Sequence, residues 1–145
     1  MSVDDERETA AVILRYADAI DRRDWPLFAS CFTEDMEADY GELGRWRGRA
    51  LFVDRMEKGH EGWGPTLHRM TNLVIAGEGE EATATSYVDA LLMPGASHRK
   101  IRRACGWYHD RLLRQSDGWK IRYRRFAAVL ISDAAEEAPQ PVISR

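Results

Sequence analysis

At 145 residues, 44% hydrophobic and 31% charged, the chain suits one globular domain with a sizeable core and argues against a second. Its 21 basic residues against 24 acidic ones, a formal net charge of -3, exclude the global basic field of a nucleic-acid binder. There is no apolar run long enough to span a bilayer and no charged-apolar-small leader at Met1, and Cys31 and Cys105 lack CxxC spacing. The expectation is a reduced, soluble, cytoplasmic protein with neither membrane nor nucleic-acid partners.

Asp4 to Arg23 reads as one long amphipathic helix whose acidic first turn, Asp4-Asp5-Glu6, suits the positive end of the helix dipole. At about 100° per residue, Asp21 falls between Ala17 and Leu14, in the apolar sector that also carries Ala10, Ile13 and Ile20. Asp18 falls outside that sector with Arg22 four residues on, an ordinary solvated pair. A carboxylate turned toward a core costs several kcal/mol unless it is paired or hydrogen-bonded, so Asp21 needs a partner from elsewhere in the fold.

Asp24 can cap a second, short helix with Pro26 in its first turn and apolar contacts from Leu27, Phe28, Cys31 and Phe32, ending before Thr33-Glu34-Asp35. Met36 to Tyr40 and Gly44 to Arg47 read as short strands around a glycine-containing turn, and Gly48 to Gly59 as a third helix with Leu51, Phe52 and Met56 on one side. Four β-rich runs follow: Thr66 to Ala76, Ala82 to Met93, Arg99 to Arg114 and Trp119 to Ile131. The punctuation at Gly77-Glu78-Gly79, Pro94-Gly95 and Ser116-Asp117-Gly118 makes them an antiparallel meander. Residues 1-132 are expected to form the domain, and the Ala- and Pro-containing stretch 133-145 a flexible tail.

Helices first and a curved antiparallel sheet after them define an α+β domain with a pocket between helices and sheet. Strand alternation places Thr66, His68, Met70, Asn72 and Val74 on one face. A histidine there that meets a buried aspartate has one ring nitrogen fixed as donor and the other left as proton acceptor, a general base; the same pair also serves as a structural tie inside a core. Tyr16, Tyr40 and Tyr87 either pack or, where a phenol reaches the pocket, polarise a carbonyl or assist a leaving group. Trp107 and His109 share one strand face and Tyr108 and Asp110 the other, so only one pair lines the pocket. His60, His68, His98 and His109 have no metal-ligand spacing, Gly77-Glu78-Gly79 lacks a phosphate-loop context, and no serine or cysteine sits in a nucleophile motif.

The succession Tyr16-Ala-Asp-Ala-Ile-Asp21-Arg-Arg-Asp-Trp25, Asp39-Tyr40, Thr66-Leu-His68-Arg-Met-Thr71-Asn72 and Asp117-Gly-Trp119-Lys resembles the SnoaL-like branch of the NTF2-like superfamily. The resemblance covers about Glu8 to Ile131. It implies a cone: a strongly curved, mostly antiparallel sheet wrapped by N-terminal helices around a deep, mostly apolar pocket. The members nearest in motif are scytalone dehydratase, hexachlorocyclohexane dehydrochlorinase and bile acid 7α-dehydratase, which carry out eliminations with a His-Asp pair. By motif match that pair falls on His68 and Asp21, with assisting tyrosines on Tyr16 and Tyr40. Scytalone dehydratase differs where this chain has Ile20, Trp107 and His109, and its second pocket histidine has no clear counterpart near Met93-Pro94.

The resemblance therefore implies a cofactor-free, metal-free, dehydratase-type lyase acting on a small hydrophobic ring-containing substrate. Trp25, Trp46, Tyr87, Trp107 and His109 are the candidate substrate-binding residues. A non-catalytic subunit like a dioxygenase β chain, or an isomerase or cyclase using the same base, are the alternatives. Arginine-rich strands and an open sheet edge point to a homo-oligomer, a trimer first and a dimer second.

Overall fold

The computed structural model describes residues 1–135, built as α1 (Val3–Arg22), α2 (Trp25–Ser30), β1 (Phe32–Asp39), β2 (Arg45–Arg47), α3 (Arg49–His60), β3 (Thr66–Glu78), β4 (Glu81–Leu92), β5 (Lys100–Gln115) and β6 (Gly118–Ala135). Ser2 caps α1 in a reciprocal capping box with Asp5. Asp5 also pairs with Arg114, so the helix start is tied to the sheet. Arg23 ends α1 in the left-handed region (φ 57), and Asp24 caps α2 through the backbone N–H of Leu27.

The six strands form one sheet in the order β2-β1-β6-β5-β4-β3, antiparallel throughout except for the parallel β1–β6 pair. This is the α+β architecture of the NTF2/cystatin-like fold. Extra residues in β1, β3 and β6 shift the register and bend the sheet, as bulges do. Gly106 permits one close approach, because a Cβ there would meet the Ala127 carbonyl oxygen at 2.2 Å. Along β4 the inward residues Ala82, Ala84, Ser86, Val88 and Ala90 are small. They leave space beneath the helices that larger side chains would fill.

The helix-side core is aromatic. Phe28 packs on Phe32 at 5.1 Å between ring centroids and Phe32 on Phe52 at 5.2 Å, all three fully buried. Each such ring contributes about 1.5–3 kcal/mol by burial.

Four sequence expectations change. Leu14 is 53% exposed, and the buried stripe of α1 runs instead through Thr9, Val12, Ile13, Tyr16 and Ile20. β1 begins at Phe32, because Thr33-Glu34-Asp35 is carried as an irregular stretch between the pairings Phe32↔Ile121 and Glu37↔Tyr123 rather than as a break. β6 runs through Ser132 to Ala135, where Arg102 holds Asp133 by two hydrogen bonds, so the tail cannot begin at 133; the rest of that expectation lies outside the described residues. In β3, Asn72 adopts φ 51 and two residues, Asn72 and Leu73, oppose the single Ser86. That bulge reverses the alternation, so Leu73 and Ile75 turn inward and Val74, expected on the His68 face, is exposed.

Candidate active site

The C-terminal turn of α1 and the first residues of β3 build the site together. Asp21 accepts three hydrogen bonds: from His68 Nδ1 (2.7 Å) and Thr66 Oγ1 (2.9 Å) at one carboxylate oxygen, and from the His68 backbone N–H (2.7 Å) at the other. The left-handed turn at Arg23 sends its guanidinium back across the junction. It donates to Ile20 O (2.7 Å), Thr66 Oγ1 (2.8 Å) and Gly64 O (3.2 Å). Each donor in the relay Arg23 to Thr66 to Asp21 has an acceptor, so the carboxylate is held in one orientation. Burial pushes the Asp21 carboxyl up, but hydrogen bonds from the His68 ring and backbone N–H, His68's charge and Thr66 outweigh it and hold the group below its ordinary value. An ionised Asp21 makes His68 Nδ1 the donor, leaving Nε2 of the neutral ring as acceptor.

The His68 side chain is 7% exposed and Asp21 20%. His68 lines a cavity of about 280 Å³ whose other walls include Ile20, Met56, Val88, Ala90, Leu92 and Phe126. Among the described residues Nε2 of His68 has no hydrogen-bond partner, and it is not one of the sealed unpaired atoms. That nitrogen is therefore open to the cavity.

A second wall carries phenols. Tyr16, Tyr40 and Tyr108 line the cavity, with the Tyr16 and Tyr108 hydroxyls 2.9 Å apart and the buried Tyr40 hydroxyl without a hydrogen-bond partner. Behind them lies Arg124, fully buried, its guanidinium 4.0 Å from the ring centroids of both Tyr16 and Tyr108. Asp110 holds it by two bonds of 2.7 Å. Burial opposes the charge on Arg124, but Asp110 keeps it firmly protonated. Burial also pushes the Tyr40 and Tyr108 hydroxyls well up, so they stay protonated as hydrogen-bond donors.

Of the residues singled out from sequence, His68, Tyr16, Tyr40 and Trp46 line the cavity, and Asp21 stands behind His68, bonded to its Nδ1. Trp25 does not line it; it packs behind, against Phe28 at 5.6 Å and His60 at 6.1 Å. Tyr87, Trp107 and His109 face outward. Tyr87 is 50% and Trp107 41% exposed, their rings 6.2 Å apart across β4 and β5, and His109 is exposed as well. The pair turned inward is Tyr108 and Asp110, because alternation along β5 buries the even-numbered residues there. Thr66, Arg23, Arg124 and His60 are site residues that sequence reading missed, of which only Thr66, on the His68 face, had a signal; Tyr108 belonged to the pair left open as an alternative to Trp107 and His109.

The arginine clusters resolve into pairs: Arg103 and Arg69 with Asp89, Arg102 with Asp133, Arg122 with Asp35, and Arg124 with Asp110. Among the described residues no group of three His, Cys, Asp or Glu is placed to hold a metal ion, and no helix is long and apolar enough to cross a membrane.

A bent sheet closed by three helices around an apolar cavity, with an Asp-oriented histidine opening into it, defines a small cone-shaped domain with an interior site. The chain belongs to the SnoaL-like domain family, which it matches over residues 1–125. The uncharacterized protein Rv2910c of Mycobacterium tuberculosis is 31% identical over 122 residues, 82% of each chain. Among solved structures, a protein provisionally called scytalone dehydratase from Novosphingobium aromaticivorans DSM 12444 superposes with a TM-score of 0.82 at 22% identity, covering 97% of this chain and 94% of its own. A type 2 hexachlorocyclohexane dehydrochlorinase (LinA) gives 0.80 at 18% identity, covering 97% and 98%. These likenesses establish the shared fold.

Proposed function

We propose that the protein is a lyase that removes a proton and an oxygen leaving group from a small ring-containing apolar substrate, with His68 as general base and Asp21 as its positioning partner. One observation carries the reading: His68 Nδ1 is engaged by Asp21 at 2.7 Å while the opposite nitrogen opens on an apolar cavity. A purely structural tie between helix and sheet would not need that opening, which favours the enzyme over a non-catalytic subunit. The names of two structural neighbours, a dehydratase and a dehydrochlorinase, support an elimination rather than an isomerisation or cyclisation.

In the proposed step, Nε2 of His68 takes a proton from an acidic C–H, and the C–H electron pair becomes the new C=C bond as the C–O bond breaks. Tyr16, paired with Tyr108, hydrogen-bonds the departing oxygen, and Tyr40, whose hydroxyl is sealed from the cavity, would join them only after turning toward it. The imidazolium returns the same proton to that oxygen, releasing water and the neutral base, so the step uses only these side chains. Preorganised donors of this kind contribute about 2.7–4 kcal/mol each where they have been removed in other enzymes.

A screen of hydroxylated ring compounds for loss of water supplies the assay. His68→Gln and Asp21→Asn are each expected to lower turnover by roughly 10²–10⁴ with unchanged far-UV circular dichroism. Turnover equal to the parent in both variants would end the reading. The exposed outer face at Tyr87, Trp107 and Leu130 supports self-association, a trimer or a dimer, which sedimentation velocity reads directly.

A further inference from the structure

His60, the last residue of α3, also lines the cavity, its ring centroid 5.9 Å from that of His68. Its Nδ1 lies 2.7 Å from the Met56 carbonyl oxygen, four residues back. A carbonyl only accepts, so Nδ1 carries the proton and caps the helix end. Burial depresses the ring's pKa to about 4, so near neutral pH it holds no second proton. Nε2 is then a bare acceptor. Among the described residues nothing donates to it, and it is not sealed from solvent.

Among the described residues no neighbour donates a hydrogen bond to this nitrogen. The wall residues Met56, Gly59, Ile20, Leu92 and Ala90 carry no side-chain N–H or O–H, Arg102 holds Asp133 by two bonds, and Arg55, the other guanidinium on the wall, is exposed and makes no hydrogen bond to His60. An acceptor left unpaired in an apolar cavity costs about 1–3 kcal/mol. Such an atom favours ligands that bring a donor. The wall that carries the paired Tyr16 and Tyr108 hydroxyls presents an O–H donor. The cavity is thus polar in one sense at each side.

We propose that His60 is a hydroxyl-binding subsite distinct from the base: its Nε2 accepts a hydrogen bond from an O–H on the bound ring, and the ligand is a ring with at least one hydroxyl that is retained. The two imidazoles stand about one ring-width apart, so this hydroxyl belongs to the ring presented to His68. The inference rests on the cavity being the substrate site, as proposed above, and needs no particular reaction there.

The test is equilibrium binding of 2-naphthol and 2-methylnaphthalene, matched in shape, to the full chain, followed by calorimetry. The wild-type protein is expected to prefer the naphthol by about tenfold, the value of one hydrogen bond to a buried acceptor. His60→Phe should remove the preference, His60→Gln should restore part of it through its side-chain carbonyl, and His68→Gln should leave it in place. A wild type without the preference, a preference that survives His60→Phe, or one that disappears equally in His68→Gln overturns the proposal. Binding is read without turnover, so a His68 variant that keeps full activity would end the lyase reading and leave this subsite standing. Loss of the subsite alone would leave the lyase reading untouched.

Discussion

Two carboxylates, Asp21 and Asp110, point into the protein, each holding a nitrogen base at 2.7 Å, and they are built for different work. Asp110 and its partner Arg124 are 1% and 0% exposed in their side chains and sealed behind Tyr16 and Tyr108. Arginine does not release its proton in a protein, so this pair is a fixed charge that steadies two phenols. Asp21 is partly exposed and its partner His68 lines the cavity, with a ring nitrogen that, unlike a guanidinium, can serve as an acceptor. The difference teaches that burial of a pair is a poor guide to function; the chemistry of the cation and its access to the cavity decide it.

The sharpest way to break that comparison is to neutralise each carboxylate in turn. Asp21→Asn is expected to lose turnover by orders of magnitude at a cost in stability of about 1 kcal/mol, whereas Asp110→Asn should destabilise the fold by about 3–5 kcal/mol by stranding a buried guanidinium. Urea denaturation separates the two, and equal stability losses would erase the distinction. Replacing both partners, Asp110→Leu with Arg124→Met, should recover most of the stability lost in Asp110→Asn, since the uncompensated charge goes with its partner.

A pH series sharpens the picture on the cavity side. His60 is neutral in the fold, with its pKa lowered from 6.5 to about 4, so below about pH 6.5 the unfolded chain takes up a proton that the folded chain refuses. Stability from this group is full above pH 6.5 and is lost as pH falls toward 4, on the order of 3 kcal/mol in all. Asp21, lowered from 3.8, adds a loss only at pH values below that. Its neighbours His68, Asp21 and Arg23 remain in His60→Phe, so melting temperatures of that variant should flatten between pH 6.5 and 4 while the acid loss below 3.8 persists. The smallest effect belongs to the outer face. Asp89→Ala breaks exposed bonds to Arg69 and Arg103 and should leave both melting temperature and turnover nearly unchanged.

Part of the site was legible before any coordinates. The helical period of α1 and the period-two alternation at the start of β3 turn Asp21 and His68 inward, and an inward carboxylate demands a donor. Outward Tyr87 and Trp107 mislead because aromatic content says nothing of strand face. Counting back from the Gln115↔Gly118 end of the β5–β6 hairpin sets Asp110 opposite Tyr123; the register shift between Arg111 and Leu112 moves it to Arg124 and creates the buried pair. Counting inward from the β3–β4 turn, with Leu73 and Ile75 facing the core, would aim His68 outward. The bulge at Asn72 corrects it.

Sequence alone determined the element order, the α+β class and the two side chains that meet at 2.7 Å, because these follow from periodicity and local chemistry carried by neighbouring residues, while the family was legible as a resemblance of motifs. Tertiary structure alone decided which strand face lines the cavity, that His60 shares it with His68, that Arg23 and Thr66 lock Asp21, and that Arg124 is sealed beneath the tyrosines. Those outcomes depend on bulges that shift register by one residue and on the small side chains of β4 that keep the interior open. Neither leaves a repeating mark in the chain, because a single unpaired residue reverses every side chain beyond it.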